Sequence, residues 1–179
     1  MQKAVFLDRD GTLNYDSNYV YRLEDLVILP GVQEGLRMLK DAGFLLIIVT
    51  NQSGINRGLY SYDEFVHFTD HLARAIPIVF DAVYCCPHRA EEHCICRKPK
   101  IQHLLDAQQK FSIDMHQSFF VGDKETDVLC GKNAGCTSIL LGNDVNSSAH
   151  FQVSSFLDAV QRILGLSTHS MNSKKSVNI

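Results

Sequence analysis

Four stretches of the 179-residue chain bring carboxylates, a hydroxyl and an amine to the ends of apolar runs or to the start of a helix. Asp8 and Asp10 follow Ala4–Leu7, Thr50 and Asn51 follow Phe44–Val49, Asp123 and Asp127 follow Phe119–Val121, and Lys98 stands in a loop before a helix. A carboxylate can accept a phosphoryl group as an aspartyl phosphate, which divides hydrolysis into two easier steps, and Asp8 is the candidate nucleophile. Asp10, two residues on, can point to the same side of a locally extended chain. There it could protonate a leaving oxygen and then take a proton from the attacking water. Mg²⁺ is a hard cation that prefers oxygen, so Asp8, the Asp10 carbonyl and Asp123 are its candidate ligands. Thr50, Lys98 and backbone N–H groups would offset the remaining negative charge. One acidic residue at a strand end more often caps a helix or faces water, and it is the joint pattern that carries the phosphoryl-transfer reading.

A second constellation is C-x-H-x5-C-x-C, formed by Cys86, His88, Cys94 and Cys96. Thiolate and imidazole donors suit tetrahedral Zn²⁺, and a Cys3His set leaves no open position, so the expected site is structural. Arg97, Lys98 and Pro99 follow directly, so the metal would fix the loop that presents Lys98. Cys85, Cys130 and Cys136 are expected to pack as small apolar residues, and His93 and His103 to face solvent.

The elements that must position these residues follow from periodicity. Ala4–Leu7, Phe44–Val49, Val79–Cys85, Phe119–Val121 and Thr137–Leu141 read as buried strands. Helices are expected after Pro30-Gly31 up to Gly43, from an Asp63 N-cap to Arg74, and over Ile101–Phe111, Thr126–Ala134 and Phe156–Leu164. Strands separated by helices predict an α/β fold, a doubly wound, mostly parallel, Rossmann-like sheet, because parallel neighbours need crossovers. Ligands of such sheets bind outside the carboxyl ends of the strands, where Asp8, Thr50 and Asp123 all fall. One domain over residues 1–164, with a zinc loop at 86–97, and a disordered tail over 165–179 are expected.

Composition sets the limits. Seventeen Lys and Arg against twenty Asp and Glu give a net charge of −3, so no broad basic field is available and a nucleic-acid partner is not expected. The apolar run near the N-terminus is too short for a signal-peptide core or a membrane span, which predicts a cytoplasmic protein without a membrane partner. A monomer acting on a small phosphorylated metabolite is expected.

Asp8-Arg9-Asp10-Gly11-Thr12, Thr50-Asn51-Gln52, Lys98 and Gly122-Asp123 with Asp127 resemble the four motifs of the haloacid dehalogenase superfamily of phosphohydrolases. The resemblance implies a Mg²⁺-dependent phosphatase with Asp8 as nucleophile and Asp10 as general acid/base. About twenty residues separate Asp10 from Pro30, and the zinc loop fills the segment before Lys98, so no cap domain is expected. Thr50 to Gly58, with Cys86-Pro87-His88 and Cys94-Ile95-Cys96-Arg97-Lys98-Pro99, is similar to the D,D-heptose 1,7-bisphosphate phosphatases. That implies removal of the 7-phosphate of D-glycero-D-manno-heptose 1,7-bisphosphate, in a pathway toward ADP-heptose and lipopolysaccharide. It also implies substrate contacts at Asp16, Ser17, Asn18, Tyr19, Asn51, Gln52, Ser53, Arg97 and Lys124. Arg57 and Arg97 offer guanidinium groups suited to a second, uncleaved phosphate. The alternatives are a histidinol-phosphate phosphatase, which Gly122-Asp123-Lys124-Glu125-Thr126-Asp127 also resembles, a DNA 3′-phosphatase, and a receiver-like module that binds partners instead of turning over substrate.

Overall fold

The structure, a computed structural model, describes residues 1–175, with side chains described through residue 168. In β1 (Ala4–Leu7) Val5 and Leu7 enter one core cluster while Ala4 and Phe6 enter another, and β2 (Leu45–Asn51) repeats the split with Leu46 and Ile48 against Ile47 and Val49. This alternation means that both faces of the sheet are apolar and both must be covered. Helices α1 (Val32–Asp41) and α5 (Phe156–Lys175) cover one face through Leu36, Leu39, Ala159, Val160 and Ile163, with Leu72 of α2 (Tyr62–Ala75). Helices α3 (Gln102–Phe111) and α4 (Glu125–Asn133) cover the other through Leu104, Ala107 and Cys130.

Among the described residues the sheet has six strands in the order β3-β2-β1-β4-β5-β6, every neighbouring pair parallel, where β3 is Ala82–Cys86, β4 Phe119–Gly122, β5 Thr137–Leu141 and β6 Phe151–Val153. The expected doubly wound fold is therefore observed. Between β1 and α1 lies only a short 3-10 turn at Leu23–Asp25, and no cap is inserted there.

The differences from expectation are local. Ser61, not Asp63, caps α2: its hydroxyl accepts from Glu64 N–H at 3.2 Å while Glu64 Oε2 accepts from Ser61 N–H at 2.7 Å, a reciprocal box that a lone Asp63 cannot make. β3 starts at Ala82 because the Asp81 carboxylate is taken by Leu46 N–H at 2.7 Å and by Lys40 Nζ at 2.6 Å. β6 was not expected; with three residues it is too short to show a period. Helix α5 runs past Leu164 to Lys175, and within it the hydroxyls of Ser167 and Thr168 donate to Ile163 O and Gly165 O, both at 2.8 Å. The tail expected from Gly165 is thus helical as far as Lys175, and 176–179 lie outside the described residues. No helix among the described residues is long and apolar enough to cross a membrane.

Candidate active site

Parallel strands ending side by side bring their following residues together. Asp8 leaves β1, Thr50 and Asn51 end β2, and Asp123 leaves β4, with β1 hydrogen-bonded between the other two. Gly11, at φ +81°, lets the chain turn against this cluster, since a Cβ there would stand 2.3 Å from Asp123 Oδ2. The amino end of α4 then delivers Asp127, whose Oδ2 accepts from Lys124 N–H at 3.1 Å.

Lys98 is the centre of the site. Its buried ammonium lies 2.8 Å from Asp8 Oδ1 and 2.7 Å from Asp127 Oδ1, and donates to Val49 O at 2.7 Å. Burial disfavours its charge, but the two carboxylates outweigh that and raise its pKa. Asn51 grips the Lys98 peptide from both sides, accepting from Lys98 N–H at 3.1 Å and donating to Lys98 O at 3.2 Å. Burial pushes the Asp8 carboxyl up to about 7, with Lys98 opposing and Asp127 and Asp10 adding to the rise. Asp123 is pushed up to about 6, again chiefly by burial, and its Oδ1 is buried without a hydrogen-bond partner.

Asp10 is held differently. Arg9 Nε and Asn14 Nδ2 donate to Oδ1, both at 2.9 Å, while Arg9 Nη2 at 2.9 Å and Gln52 Nε2 at 2.8 Å donate to Oδ2. Gln52 Nε2 also reaches Thr50 Oγ1 at 2.9 Å, and the Gln52 amide is oriented by Tyr60 OH, which donates to Oε1 at 2.5 Å. Asp10, Thr50, Gln52 and Tyr60 line a cavity of about 640 Å³ with Asp16, Asn18, Tyr19, Ser53, Arg97, Lys100 and Lys124. Across its mouth Lys124 Nζ meets Asp16 Oδ2 at 2.9 Å. Burial works against the Asp16 charge, but Lys124 and the Asn18 N–H outweigh it and lower its pKa.

Beside the cavity Cys86 Sγ, His88 Nδ1, Cys94 Sγ and Cys96 Sγ converge, with Sγ separations of 3.2 to 3.6 Å and His88 Nδ1 at 3.6 and 3.3 Å from Cys86 and Cys96. A tetrahedral zinc with bonds of about 2.3 Å to sulfur has ligand-to-ligand edges of about 3.5 to 3.8 Å, so the four donors have the spacing of one coordination sphere. No disulfide competes for them. The same test supports a hard cation beside Asp8: one carboxylate oxygen each of Asp8, Asp123 and Asp127 lie within 4.8 Å of one another, and Asp123 has a buried oxygen without a hydrogen-bond partner.

The HAD-hydrolase-like family model matches residues 95–160. The chain is 40% identical to the D-glycero-beta-D-manno-heptose-1,7-bisphosphate 7-phosphatase of Pasteurella multocida (strain Pm70), over 93% of this chain and 99% of that protein. It belongs to this family of HAD-like phosphatases. The D-glycero-alpha-D-manno-heptose-1,7-bisphosphate 7-phosphatase of Campylobacter jejuni is 41% identical over 83% of this chain and 87% of that protein. The D,D-heptose 1,7-bisphosphate phosphatase of B. bronchiseptica, solved with magnesium and phosphate, superposes with a TM-score of 0.82 at 27% identity, covering 92% of this chain and 99% of that one.

Of the residues expected at the substrate, Asn51 lines the cavity, while Arg57 and Ser17 do not. Arg57 does not line the cavity; its guanidinium faces Glu91 of the zinc loop at 4.0 Å, and the neighbouring Asn56 donates to Glu92 at 2.9 Å, so this stretch braces one loop against the other. Ser17 is exposed and outside the lining, and the Asn51 side chain is committed to Lys98. His103 is half-buried, its ring 5.4 Å from that of Tyr84, where solvent exposure was expected. Cys130 and Cys136 are buried as expected, while Cys85 is half-buried and its thiol is pushed up to about 12 by burial. Sequence reasoning missed Arg9, Asn14 and Tyr60; the one signal was a cation between two aspartates at the end of a buried strand.

Proposed function

We propose that the protein removes the 7-phosphate of D-glycero-D-manno-heptose 1,7-bisphosphate through a phosphoryl intermediate on Asp8. The observation that carries the substrate is end-to-end likeness to phosphatases of that name, at 40% identity, on a chain whose cavity is lined by Asp8, Asp10, Thr50 and Lys98. Asp8 Oδ1 is occupied by Lys98 and by Arg9 N–H at 2.8 Å, which leaves Oδ2 to attack phosphorus. As that bond forms, the ester P–O bond breaks and Asp10 protonates the leaving oxygen. Asp10 then takes a proton from the water that displaces Asp8 and frees phosphate. Lys98, Thr50 and backbone N–H groups hold the equatorial oxygens as charge redistributes.

Magnesium would be held by Asp8, the Asp10 carbonyl and Asp123, with Asp127 beside them, and supplies charge neutralisation at the transferred group. Zinc would be held by Cys86, His88, Cys94 and Cys96 and fixes the loop that ends in Lys98. Reading the uncleaved phosphate passes from Arg57 to Arg97, which lines the cavity and is held by a bond from its Nη1 to His88 O at 3.1 Å. The setting is a cytoplasmic monomer without nucleic-acid or membrane partners, in the compartment where thiols stay reduced.

The test is phosphate release with Mg²⁺ from both anomers of the heptose bisphosphate, from histidinol phosphate and from a DNA 3′-phosphate. A kcat/KM for one heptose anomer at least about a hundredfold above the other two classes is expected, and preference for either of those refutes the substrate.

A further inference from the structure

Arg9 is the largest fully buried side chain among the described residues, and the reaction above does not use its guanidinium. An arginine keeps its proton, so burial demands partners for the charge and for five N–H groups. The charge is met by Asp10: Nε and Nη2 donate to its two oxygens at 2.9 Å each, a fork that fixes the plane of the carboxylate as well as its place. The fork is itself held from behind. Nη2 donates to Val20 O at 2.8 Å, Nη1 lies 3.4 Å from Thr69 Oγ1, and the guanidinium sits 4.7 Å from the ring centre of Phe68 and 5.4 Å from that of Phe65.

Each Asp10 oxygen accepts two N–H groups, so a proton on either oxygen requires one donor to give way. Gln52 and Asn14 can yield, because their amides keep Thr50 Oγ1 at 2.9 Å and Tyr15 O at 2.9 Å as other acceptors. The fork is anchored to α2 and to the loop at Val20 and stays. Packing alone does not call for it, since an unbranched apolar side chain fills a slot between two phenylalanines without desolvating a charge.

We propose that Arg9 is the positioning residue of the reaction, aiming Asp10 at the leaving oxygen and then at the attacking water; this rests on Asp10 being the general acid/base. In the first step the Asp8 oxygen bonds to phosphorus, the ester bond breaks, and the Asp10 proton goes to the departing oxygen. In the second, water bonds to phosphorus, its proton returns to Asp10, and the bond to Asp8 breaks. An alkoxide leaves poorly without that proton, whereas p-nitrophenolate is a stable anion at neutral pH and leaves without it.

The experiment compares kcat/KM for a sugar phosphate and for p-nitrophenyl phosphate in the parent enzyme and in Arg9→Lys, Arg9→Met and Asp10→Asn. Both Arg9 variants are expected to lose about a hundredfold in kcat/KM on the sugar phosphate, with KM nearly unchanged, and less than about fivefold in kcat/KM on p-nitrophenyl phosphate, where kcat and KM fall together because the second step is slowed. A burst of p-nitrophenol is also expected, because the second step still needs an aimed base. If Arg9→Lys does not fold, Arg9→Met, which fills the apolar slot, gives the answer alone. Equal losses on both substrates, with Asp10→Asn selective, would mean that Arg9 only supports the fold and overturn the proposal. An unselective Asp10→Asn would overturn the acid/base reading itself, and the proposal with it.

Discussion

Replacing Asp123 by asparagine should stabilise the protein when no divalent cation is present. The carboxyl is pushed from its ordinary 3.8 up to about 6, chiefly by burial, so between those values the folded chain binds a proton that the unfolded chain has released. Stability therefore falls as pH rises through that window, and the loss is complete above about 6. The size is about 3 kcal/mol at pH 8, from 1.36 kcal/mol for each tenfold in proton affinity, and roughly half of it is already present at pH 5. For a domain of this length that corresponds to about 5 to 10 °C in melting temperature. Asp123→Asn keeps the shape and removes the charge, so melting curves from pH 5 to 8 in buffer without added divalent cations should lie above those of the parent, the gap widening with pH. Millimolar Mg²⁺ should raise the parent and leave the variant nearly unmoved, because ligand binding stabilises only a chain that can bind. A variant that melts no higher than the parent at pH 8 refutes the argument that burial of this carboxylate outweighs its pairing with Lys124 at 3.8 Å.

Asp8→Asn should leave a folded protein whose phosphate release falls by at least about a thousandfold; an activity near that of the parent removes the aspartyl phosphate from the mechanism. Lys98→Gln should cost about 3 to 5 kcal/mol in denaturant unfolding, because Asp8 and Asp127 lose an ion pair at 2.8 and 2.7 Å inside the protein. Cys94→Ser should drop the zinc content from about one per chain toward zero and lower turnover by loosening the loop before Lys98, as elemental analysis beside kinetics will show. Arg97→Ala should raise KM for the bisphosphate by about tenfold or more, while Arg57→Ala, whose guanidinium turns to Glu91, should leave it within about twofold.

What the sequence shows and what it hides divide along one line. Asp8, Thr50, Lys98 and Asp123 were legible because each is a polar residue set against an apolar run or a punctuated loop, and a parallel sheet brings strand ends together whatever else the chain does. The convergence of Cys86, His88, Cys94 and Cys96 was legible because the four lie within eleven residues. An arginine in a loop near the site, as Arg57 is, reads as a phosphate ligand, and its partner Glu91 becomes visible only once the two loops are folded against each other. Arg9, Tyr60 and Asn14 were hidden for the same reason: their value lies in whom they meet, Val20, Gln52 and Asp10, and no periodicity records such meetings.

The strand order explains why chemistry sits where it does. From β1 the chain crosses to β2 and β3 on one side and later to β4, β5 and β6 on the other, so the connections leaving β1 and β4 diverge and open a crevice between them. Into it the chain puts carboxylates of Asp8, Asp123 and Asp127 within 4.8 Å against one buried ammonium, Lys98, while the more exposed Lys124 amine is shared between Asp16 at 2.9 Å and Asp123 at 3.8 Å. Lys98 balances one of the three charges and Lys124 part of another, so the cluster keeps a negative excess that a divalent cation would meet. Without it burial raises Asp8 to about 7 and Asp123 to about 6, so the cluster takes up protons as pH falls through that range, and a protonated Asp8 is no nucleophile. A hard dication would therefore serve twice, balancing the cluster and keeping Asp8 ionised for a phosphate that repels it. The acid limb of kcat/KM should accordingly move to lower pH as free Mg²⁺ rises, and a limb that stays fixed across Mg²⁺ concentrations would separate the ionisation of Asp8 from the metal.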